Sequence, residues 1–134
     1  MLASVDLADL ASRIGDGDPI RGLNTVLDYS NTLSLGEQQR LAFGRVVINR
    51  PKLVVMDEST SALDVVAERK MYTLLKNMAS AAEDGGNSLT YVSVGHRPTL
   101  LQYHDVKLLL RDGVSSASYV SQTNMSAEEE AILS

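Results

Sequence analysis

The chain lacks several residue types, and each absence narrows the chemistry open to it. None of its 134 residues is cysteine or tryptophan. Without cysteine, a disulfide, a thiolate zinc site and a thiol nucleophile are all excluded. Aromatic residues make up only 4% of the chain. Any core must therefore rest on Leu, Val, Ile, Ala and Met, a composition that suits helices packed on a parallel sheet.

Clustered basic charge and long apolar segments are also missing. The formal net charge is -5, whereas binding to nucleic acid or to an anionic membrane surface requires clustered Lys and Arg. We therefore expect no nucleic-acid partner. No segment approaches the roughly 20 consecutive apolar residues of a membrane span, and the first residues lack the layout of a signal peptide. The chain itself is expected to be soluble or peripheral to a membrane.

A length of 134 residues allows at most one ordinary domain, and a hydrophobic content of 44% is enough for a core. A short helical repeat over residues 1–11 is broken by GDGDP at 15–19, and a loop is predicted to follow. Ser34, with Glu37 three residues later, forms a capping-box pattern. This pattern predicts a helix from there to about Asn49.

The residues after this helix have the pattern of strands that alternate with helices. The continuous apolar run at 53–56 predicts a central strand buried on both faces. Asp64 can cap a second helix, and further strands are predicted at 88–94 and 106–110 with a short helix between them. This alternation indicates a parallel α/β fold. The Ser-rich residues from 115 onward are predicted to be frayed or disordered.

Three polar side chains follow these strands: Asp57 and Glu58 after the first, and His96 after the second. In open parallel sheets, ligands bind beyond the carboxyl ends of the strands. Asp57 suits Mg²⁺, commonly through water, because magnesium prefers oxygen ligands and keeps part of its hydration shell. Glu58 could orient or deprotonate an attacking water, and His96 could hydrogen-bond a terminal phosphate. The alternative is that all three are merely polar residues meeting solvent at strand ends.

The turn from Ser34 to Glu37 also has two interpretations. A helix start offers unpaired N–H groups and a positive dipole end, which suit phosphate, and Gly36 allows a close backbone approach. On local spacing alone, the favoured interpretation is that Ser34 and Glu37 merely cap the helix, because capping boxes are common. The neighbouring motifs favour the phosphate interpretation.

Taken together, these segments resemble the second half of the ABC-transporter nucleotide-binding domain. LSLGEQQR at 33–40 is similar to the family's signature motif, LVVMDE at 53–58 to its Walker B strand, SALD at 61–64 to its D-loop, and His96 to its switch histidine. The four motifs occur in family order between about Leu23 and Asp112. The signature departs from the usual LSGGQ at Leu35 and Glu37. These departures, with VGHRPTLLQYHD at 94–105, resemble the D subfamily of fatty-acyl transporters and related bacterial and plastid proteins.

The resemblance implies an α/β fold that is a partial P-loop NTPase (ABC ATPase) fold, with a parallel sheet and flanking helices but without the P-loop strand and the N-terminal β-subdomain. Residues 1–32 would be a remnant of the helical subdomain and a loop, 33–113 the C-terminal half of the nucleotide-binding domain, and 114–134 a flexible tail. The domains of this family act in pairs, in a transporter with a transmembrane domain, and close over two ATP molecules with Mg²⁺.

The resemblance also implies a role for each motif residue. Asp57 would bind the metal, while Glu58 and His96 would be catalytic. Ser34, Gly36 and Glu37 would contact ATP held by the partner domain. The dimer seam would be formed by the D-loop residues Ser61, Ala62, Leu63 and Asp64.

No G-x-x-x-x-G-K-[ST] motif occurs in the sequence, and the P-loop supplies most of the grip on nucleotide. We therefore expect the chain alone to show no ATPase activity. The resemblance places the missing P-loop strand beside the last strand, at 106–110, so the chain alone is also expected to be unstable. Three interpretations remain. The chain is part of a transporter subunit, a non-catalytic module that lends its signature turn to a partner domain, or part of a soluble ATPase of the same superfamily. The subfamily resemblance implies transport of fatty acids or acyl-CoA across a peroxisomal or plastid membrane.

Overall fold

The computed structural model describes residues 1–80 and 89–120. The chain divides into two compact units, Met1–Val94 and Gly95–Ser134. The first unit begins with a 3₁₀ turn at Leu2–Val5 and ends on a parallel pair of strands. Its elements are helices α1 (Leu10–Ile14), α2 (Pro19–Asn24), α3 (Tyr29–Thr32), α4 (Leu35–Asn49) and α5 (Val65–Ser80), and strands β1 (Leu53–Asp57) and β2 (Thr90–Val94).

The long helices of the first unit begin where their capping residues predict. Ser34 is the N-cap of α4, and its capping box with Glu37 is formed. Asp64 accepts a hydrogen bond from the backbone N–H of Ala67 at 2.7 Å, which satisfies one unpaired donor at the start of α5. Both predicted helices are therefore confirmed. The EDGGN segment at 83–87, expected to end the connection after α5, lies outside the described residues.

Two short helices occupy part of the predicted loop. Asp18 caps α2 by accepting from the N–H groups of Ile20 and Arg21, with Pro19 in the first turn. Asp28 caps α3 by accepting from the N–H of Ser30. The loop prediction is wrong at these residues because an Asp-Pro pair and a second Asp each provide a local helix start.

The sheet of the first unit has one covered face. β1 and β2 pair in parallel, with Val54 opposite Tyr91 and Met56 opposite Ser93. Tyr72 of α5 lies 6.4 Å, ring centroid to ring centroid, from both Phe43 of α4 and Tyr91 of β2. Paired residues of adjacent strands point to the same face. The two long helices therefore share a core with the face that carries Val54 and Met56.

The prediction that β1 is buried on both faces is wrong for the described chain. Val54 and Met56 are only 9% and 5% exposed, but Leu53 and Val55 are 58% and 68% exposed. The burial alternates because the described helices cover one face and leave the other open. β1 has β2 as its one strand partner among the described residues, so it is not central in a larger sheet here.

The second unit contains a 3₁₀ helix at Pro98–Tyr103, followed by strands β3 (Val106–Arg111) and β4 (Val114–Tyr119). These strands form an antiparallel hairpin, so β3 is not the third parallel strand that the sequence pattern predicts. Asp112 and Gly113 connect them with φ angles of 49° and 76°. Positive φ at both positions is the conformation of a two-residue hairpin turn, and Asp-Gly is a preferred sequence for such a turn. The flexible-tail prediction is therefore wrong at Val114–Tyr119, and its remaining part from residue 121 lies outside the described residues.

Candidate functional site

The turn before α4 is built by reciprocal hydrogen bonds. The Ser34 Oγ accepts from the Glu37 N–H at 3.3 Å, and a Glu37 carboxylate oxygen accepts from the Ser34 N–H at 2.9 Å. The N–H groups of Leu35 and Gly36 have no acceptor among the described residues. They lie at the positive end of a 15-residue helix. Two free donors at such an end can receive an anion.

Glu37 is held by a second partner, because its other carboxylate oxygen lies 2.6 Å from Nη2 of Arg13. The hydrogen bond from the Ser34 backbone, and then that from Arg13, lower the pKa of the Glu37 carboxyl below its ordinary value. Both oxygens of Glu37 are thus engaged within the chain. The arrangement leaves Ser34 and Gly36 as the parts of the turn open to a ligand.

Lowering the pH should weaken the fold through Glu37. Its pKa in the folded chain lies below 4.5, the ordinary value for Glu. The carboxylate therefore stabilises the fold above about pH 4.5, and this contribution is lost as the pH falls through the folded pKa. Glu37→Gln should lower the free energy of unfolding by about 0.5 kcal/mol at pH 7, and the difference from wild type should shrink as the pH falls through the folded pKa of Glu37. Urea unfolding at several pH values measures it. A difference that stayed constant over the whole acid range would show that the charge of Glu37 does not stabilise the fold.

Gln39 ties the start of α4 to the loop after β1. Its Nε2 donates to the backbone carbonyl of Glu58 at 3.2 Å and to Oγ of Ser61 at 3.0 Å. Its Oε1 accepts from the backbone N–H of Ala62 at 3.0 Å. One side chain therefore fixes the position of the Ser61–Asp64 loop relative to the Ser34 turn. The role of Gln39 was missed from the sequence, although it lies within the quoted 33–40 motif.

Gly36 allows the same loop to approach closely. A Cβ at this position would lie 3.3 Å from the carbonyl oxygen of Ala62 and 3.6 Å from the Leu63 side chain. Leu63 is buried, at 5% exposure, whereas Ser61, Ala62 and Asp64 are exposed. Three of the four predicted seam residues are thus available to a partner. Leu63 instead anchors the loop to the core.

Asp57 and Glu58, at the end of β1, are both exposed. Asp57 is the last residue of β1. Glu58 follows it with φ of 48°, in the left-handed region, and its N–H donates to the carbonyl of Val94 at 3.0 Å. A non-glycine residue held at such φ is strained by about 1 kcal/mol, and such strain clusters at functional sites. The backbone therefore sets the direction of the Glu58 side chain.

Replacing Glu58 with glycine should stabilise the fold. Glycine adopts positive φ without the steric cost of a Cβ, although it loses more backbone entropy on folding. We expect Glu58→Gly to raise the free energy of unfolding by about 0.5 kcal/mol, measured by urea denaturation. Glu58→Ala keeps the Cβ and should bring no gain. If the Ala variant were as stable as the Gly variant, Glu58 would carry no strain.

A network of buried polar side chains holds the loop after β1 in place. Oγ1 of Thr60 donates to Oε2 of Glu68 at 3.0 Å, and these residues are 3% and 1% exposed. The Tyr72 hydroxyl donates to Oγ of Ser93 at 3.0 Å. Burial raises the pKa of Tyr72, while the bond to Ser93 acts in the opposite direction. These bonds connect the loop, α5 and β2 through groups that the sequence analysis did not identify.

His96 belongs to the second unit and is exposed there. It follows β2 by two residues, as the sequence predicts. In the same unit, His104 lies near the end of the 3₁₀ helix, with Nδ1 2.8 Å from the carbonyl oxygen of Leu100. The catalytic grouping of His96 with Glu58 stays a prediction.

The carboxylates at the end of β1 fit the kind of Mg²⁺ site that the sequence predicts. No group of three or more His, Cys, Asp or Glu side chains within 1–80 and 89–120 is placed to hold a metal. Magnesium commonly takes one or two carboxylates and completes its shell with water and phosphate. Asp57 offers one such ligand.

Among residues 1–80 and 89–120, no helix is long and apolar enough to span a membrane.

Comparison with known proteins identifies the family. The ABC transporter family model matches residues 3–61. An ABC transporter ATP-binding protein of Synechocystis is 45% identical over 103 residues, covering 77% of this chain and 13% of that protein. The chloroplastic ABC transporter D family member 2 of Arabidopsis thaliana is 41% identical over 104 residues, covering 78% of the chain and 13% of the relative. The lysosomal cobalamin transporter ABCD4 of Mus musculus is 37% identical over 111 residues, covering 81% of the chain and 16% of the relative.

The chain spans only 13% to 16% of the length of these three relatives. The matches nevertheless cover more than three quarters of the chain itself and include D-family members. The chain therefore belongs to the ATP-binding proteins of the ABC transporters and resembles their D subfamily.

Proposed function

We propose that this chain is part of an ABC transporter subunit in which ATP binding and hydrolysis drive transport across a membrane. Its own contribution is the Ser34 turn, presented to ATP on the nucleotide-binding domain of a partner subunit. One observation carries this proposal: Gln39 of α4 hydrogen-bonds to the Ser61–Asp64 loop and so holds that loop against the Ser34 turn. A phosphate-binding turn and a dimer-seam loop held as one block suit an interface that closes over nucleotide.

Each residue of the block has a separate proposed task. Ser34 and the N–H of Gly36 would hydrogen-bond the terminal phosphate, which the helix dipole also favours. Glu37 would position the turn rather than touch the phosphate, since its two oxygens are bound to Ser34 and Arg13. Ser61 and Ala62 would contact the partner domain. These roles require no movement of the loop away from α4.

At the end of β1, Asp57 would hold Mg²⁺ through water, and Glu58 would orient the attacking water or accept its proton. Mg²⁺ would supply positive charge to the phosphate oxygens in phosphoryl transfer. His96 would hydrogen-bond the terminal phosphate. Support for these three roles comes from their positions at the strand ends: Asp57 is the last residue of β1, Glu58 follows it, and His96 follows β2 by two residues.

The proposed cargo is a fatty acid or its acyl-CoA ester, carried through a transmembrane domain outside this sequence. Peroxisomal or plastid membranes are the proposed location, and one D-family relative is named as chloroplastic. Another relative is named as a lysosomal cobalamin transporter. Cobalamin is therefore the competing cargo, and transport by the complete protein of labelled palmitoyl-CoA against labelled cobalamin would distinguish the two.

The chain by itself should not hydrolyse ATP, because no P-loop motif occurs in its sequence to hold the phosphates. Phosphate release by the purified chain should equal the rate of buffer alone. Glu58→Gln is the matched variant because it removes the proposed base and keeps the side-chain shape. Steady turnover by the wild type that this variant abolishes would contradict the expectation.

A second candidate function is a non-catalytic module that lends its Ser34 turn to another nucleotide-binding domain. The preformed turn and loop favour it, because both are complete within residues 34–64. Binding to a complete, hydrolysis-deficient homologous domain tests both proposals, since each requires a complex that forms with ATP and not with ADP. The size of the polypeptide detected in cells then separates the two proposals. A free polypeptide of this length supports the module, and detection only within a longer polypeptide supports the transporter subunit.

A further inference from the structure

Two polar side chains, Thr60 and Glu68, are buried together where the loop after β1 meets α5. Oγ1 of Thr60 donates to Oε2 of Glu68 at 3.0 Å. Replacing a buried polar pair with apolar groups of the same shape is often neutral or even stabilising. The hydrogen bond therefore matters less for net stability than for the direction in which it holds the loop.

The loop that contains Thr60 carries groups proposed to act on ATP and at the dimer seam. Glu58, two residues earlier, is held at φ of 48°. The N–H of Ser61 donates to the carbonyl of Glu58, and the N–H of Leu63 donates to the carbonyl of Thr60, both at 3.0 Å. The two turns share Thr60. A change at its backbone therefore passes to Glu58 on one side and to the seam residues on the other.

Hydrogen bonds hold this loop at its exposed part and at its buried part. Gln39 of α4 binds the exposed part through backbone and side-chain groups. Thr60 binds the buried part to Glu68 of α5. The loop is therefore fixed to both long helices of the first unit by directional bonds.

Glu68 belongs to a cluster that also includes the sheet. Tyr72, four residues further along α5, is buried and donates to Oγ of Ser93 on β2 at 3.0 Å. Burial raises the pKa of the Tyr72 hydroxyl, and hydrogen bonding with Ser93 lowers it. Smaller effects come from the charge of Glu68, which raises this pKa, and from Thr60, which lowers it. The four side chains therefore form one connected cluster between the loop, α5 and β2.

We propose that Thr60 is a positioning residue of the candidate site and that Glu68 holds its hydroxyl in place. The bond fixes the loop so that Glu58, Ser61 and Ala62 are preorganised for a partner domain with ATP. This inference rests on the proposed function, because only there do these three residues have tasks. Loss of the hydroxyl leaves the loop attached through Gln39 but frees its buried turn.

The test is the dissociation constant for a complete, hydrolysis-deficient homologous nucleotide-binding domain with ATP, measured well below the melting temperature of each variant. Thr60→Val removes the hydroxyl and keeps the side-chain shape, so it should weaken association about 10-fold. Thr60→Ser keeps the hydroxyl and should bind as the wild type does. Leu75→Val, in the buried face of α5, should lower the melting temperature without weakening association.

A double variant separates positioning from stability. Thr60→Val with Glu68→Leu removes both polar partners and restores apolar packing, so its melting temperature should exceed that of Thr60→Val. Its association should stay as weak as that of Thr60→Val, because the hydroxyl is still missing. Recovery of wild-type affinity in the double variant would show that Thr60 acts through stability alone, and the inference would be wrong.

Hydrogen exchange in the chain alone gives a second readout that needs no partner domain. The backbone N–H groups of Ser61 and Ala62 report local opening of the loop. Thr60→Val should raise their exchange rates by a larger factor than that of the Leu75 N–H, within α5. Equal factors at all three positions would mean a global loss of stability and would overturn the inference.

The outcomes also distinguish this inference from the proposed function. A wild-type chain that did not associate with the partner domain in ATP would contradict the proposed function, and the inference would fall with it. Equal dissociation constants for the wild type and Thr60→Val, with association dependent on ATP, would contradict the inference alone.

Discussion

Replacing Ser34 with aspartate is expected to weaken ATP-dependent association with a complete homologous nucleotide-binding domain by more than about 100-fold, because like charges at an interface cost several kcal/mol. Aspartate caps a helix as well as serine does. The capping bond to the Glu37 N–H is therefore kept while a negative charge enters beside the terminal phosphate. The dissociation constant in the presence of ATP, measured by fluorescence anisotropy with a hydrolysis-deficient partner, checks this.

Ser34→Asn is the matched control, because asparagine is also a good N-cap but adds no charge. We expect it to retain most of the association, and all three proteins should have the same helix content by circular dichroism. If Ser34→Asp bound the partner as tightly as Ser34→Asn, the turn would not face phosphate. Its hydrogen bonds would then serve only to begin α4.

Removing the Glu68 side chain is expected to lower the free energy of unfolding by about 2–4 kcal/mol. Glu68 is 1% exposed and accepts a hydrogen bond from Thr60 at 3.0 Å. Glu68→Ala leaves a space in the core and a buried Thr60 hydroxyl without this acceptor. Urea denaturation measures the loss.

Two further variants separate the hydrogen bond from the packing. Glu68→Gln keeps an acceptor of nearly the same shape and should lose about 1 kcal/mol or less. Thr60→Val combined with Glu68→Leu removes both polar partners and fills the space, so it should be more stable than Glu68→Ala. Equal losses in Glu68→Ala and Glu68→Gln would show that the carboxylate charge, rather than packing and the Thr60 bond, provides the stability.

The parts of the fold that follow from local chemistry could be predicted from the sequence. Ser34 with Glu37, and Asp64 before an apolar repeat, specify helix starts through contacts three residues apart. The apolar run before Asp57 specifies a strand for the same reason. These signals also placed the Ser34 turn and the acids of β1, which make up most of the candidate site.

Features that depend on distant neighbours could not be predicted in this way. An apolar run such as Leu53–Met56 shows that a strand is able to be buried, but only its tertiary partners decide whether both faces are covered. Gln39 hydrogen-bonds to a loop more than twenty residues away in the sequence, and no local pattern specifies that contact. The Asp112-Gly113 hairpin is different, because an Asp-Gly pair is itself a local sequence signal for an antiparallel turn.

The central claim is that the Ser34 turn of this chain lies against nucleotide held by a partner domain. The chain has no cysteine, so Ser34→Cys introduces a unique thiol that differs from serine by one atom. Mixed with a hydrolysis-deficient homologous domain that carries one cysteine in its P-loop, this variant should form a disulfide under mild oxidation with ATP and not with ADP. Arg50→Cys, at the exposed far end of α4, should not. Cross-linking of both variants at equal rates, or without regard to ATP, would contradict the account.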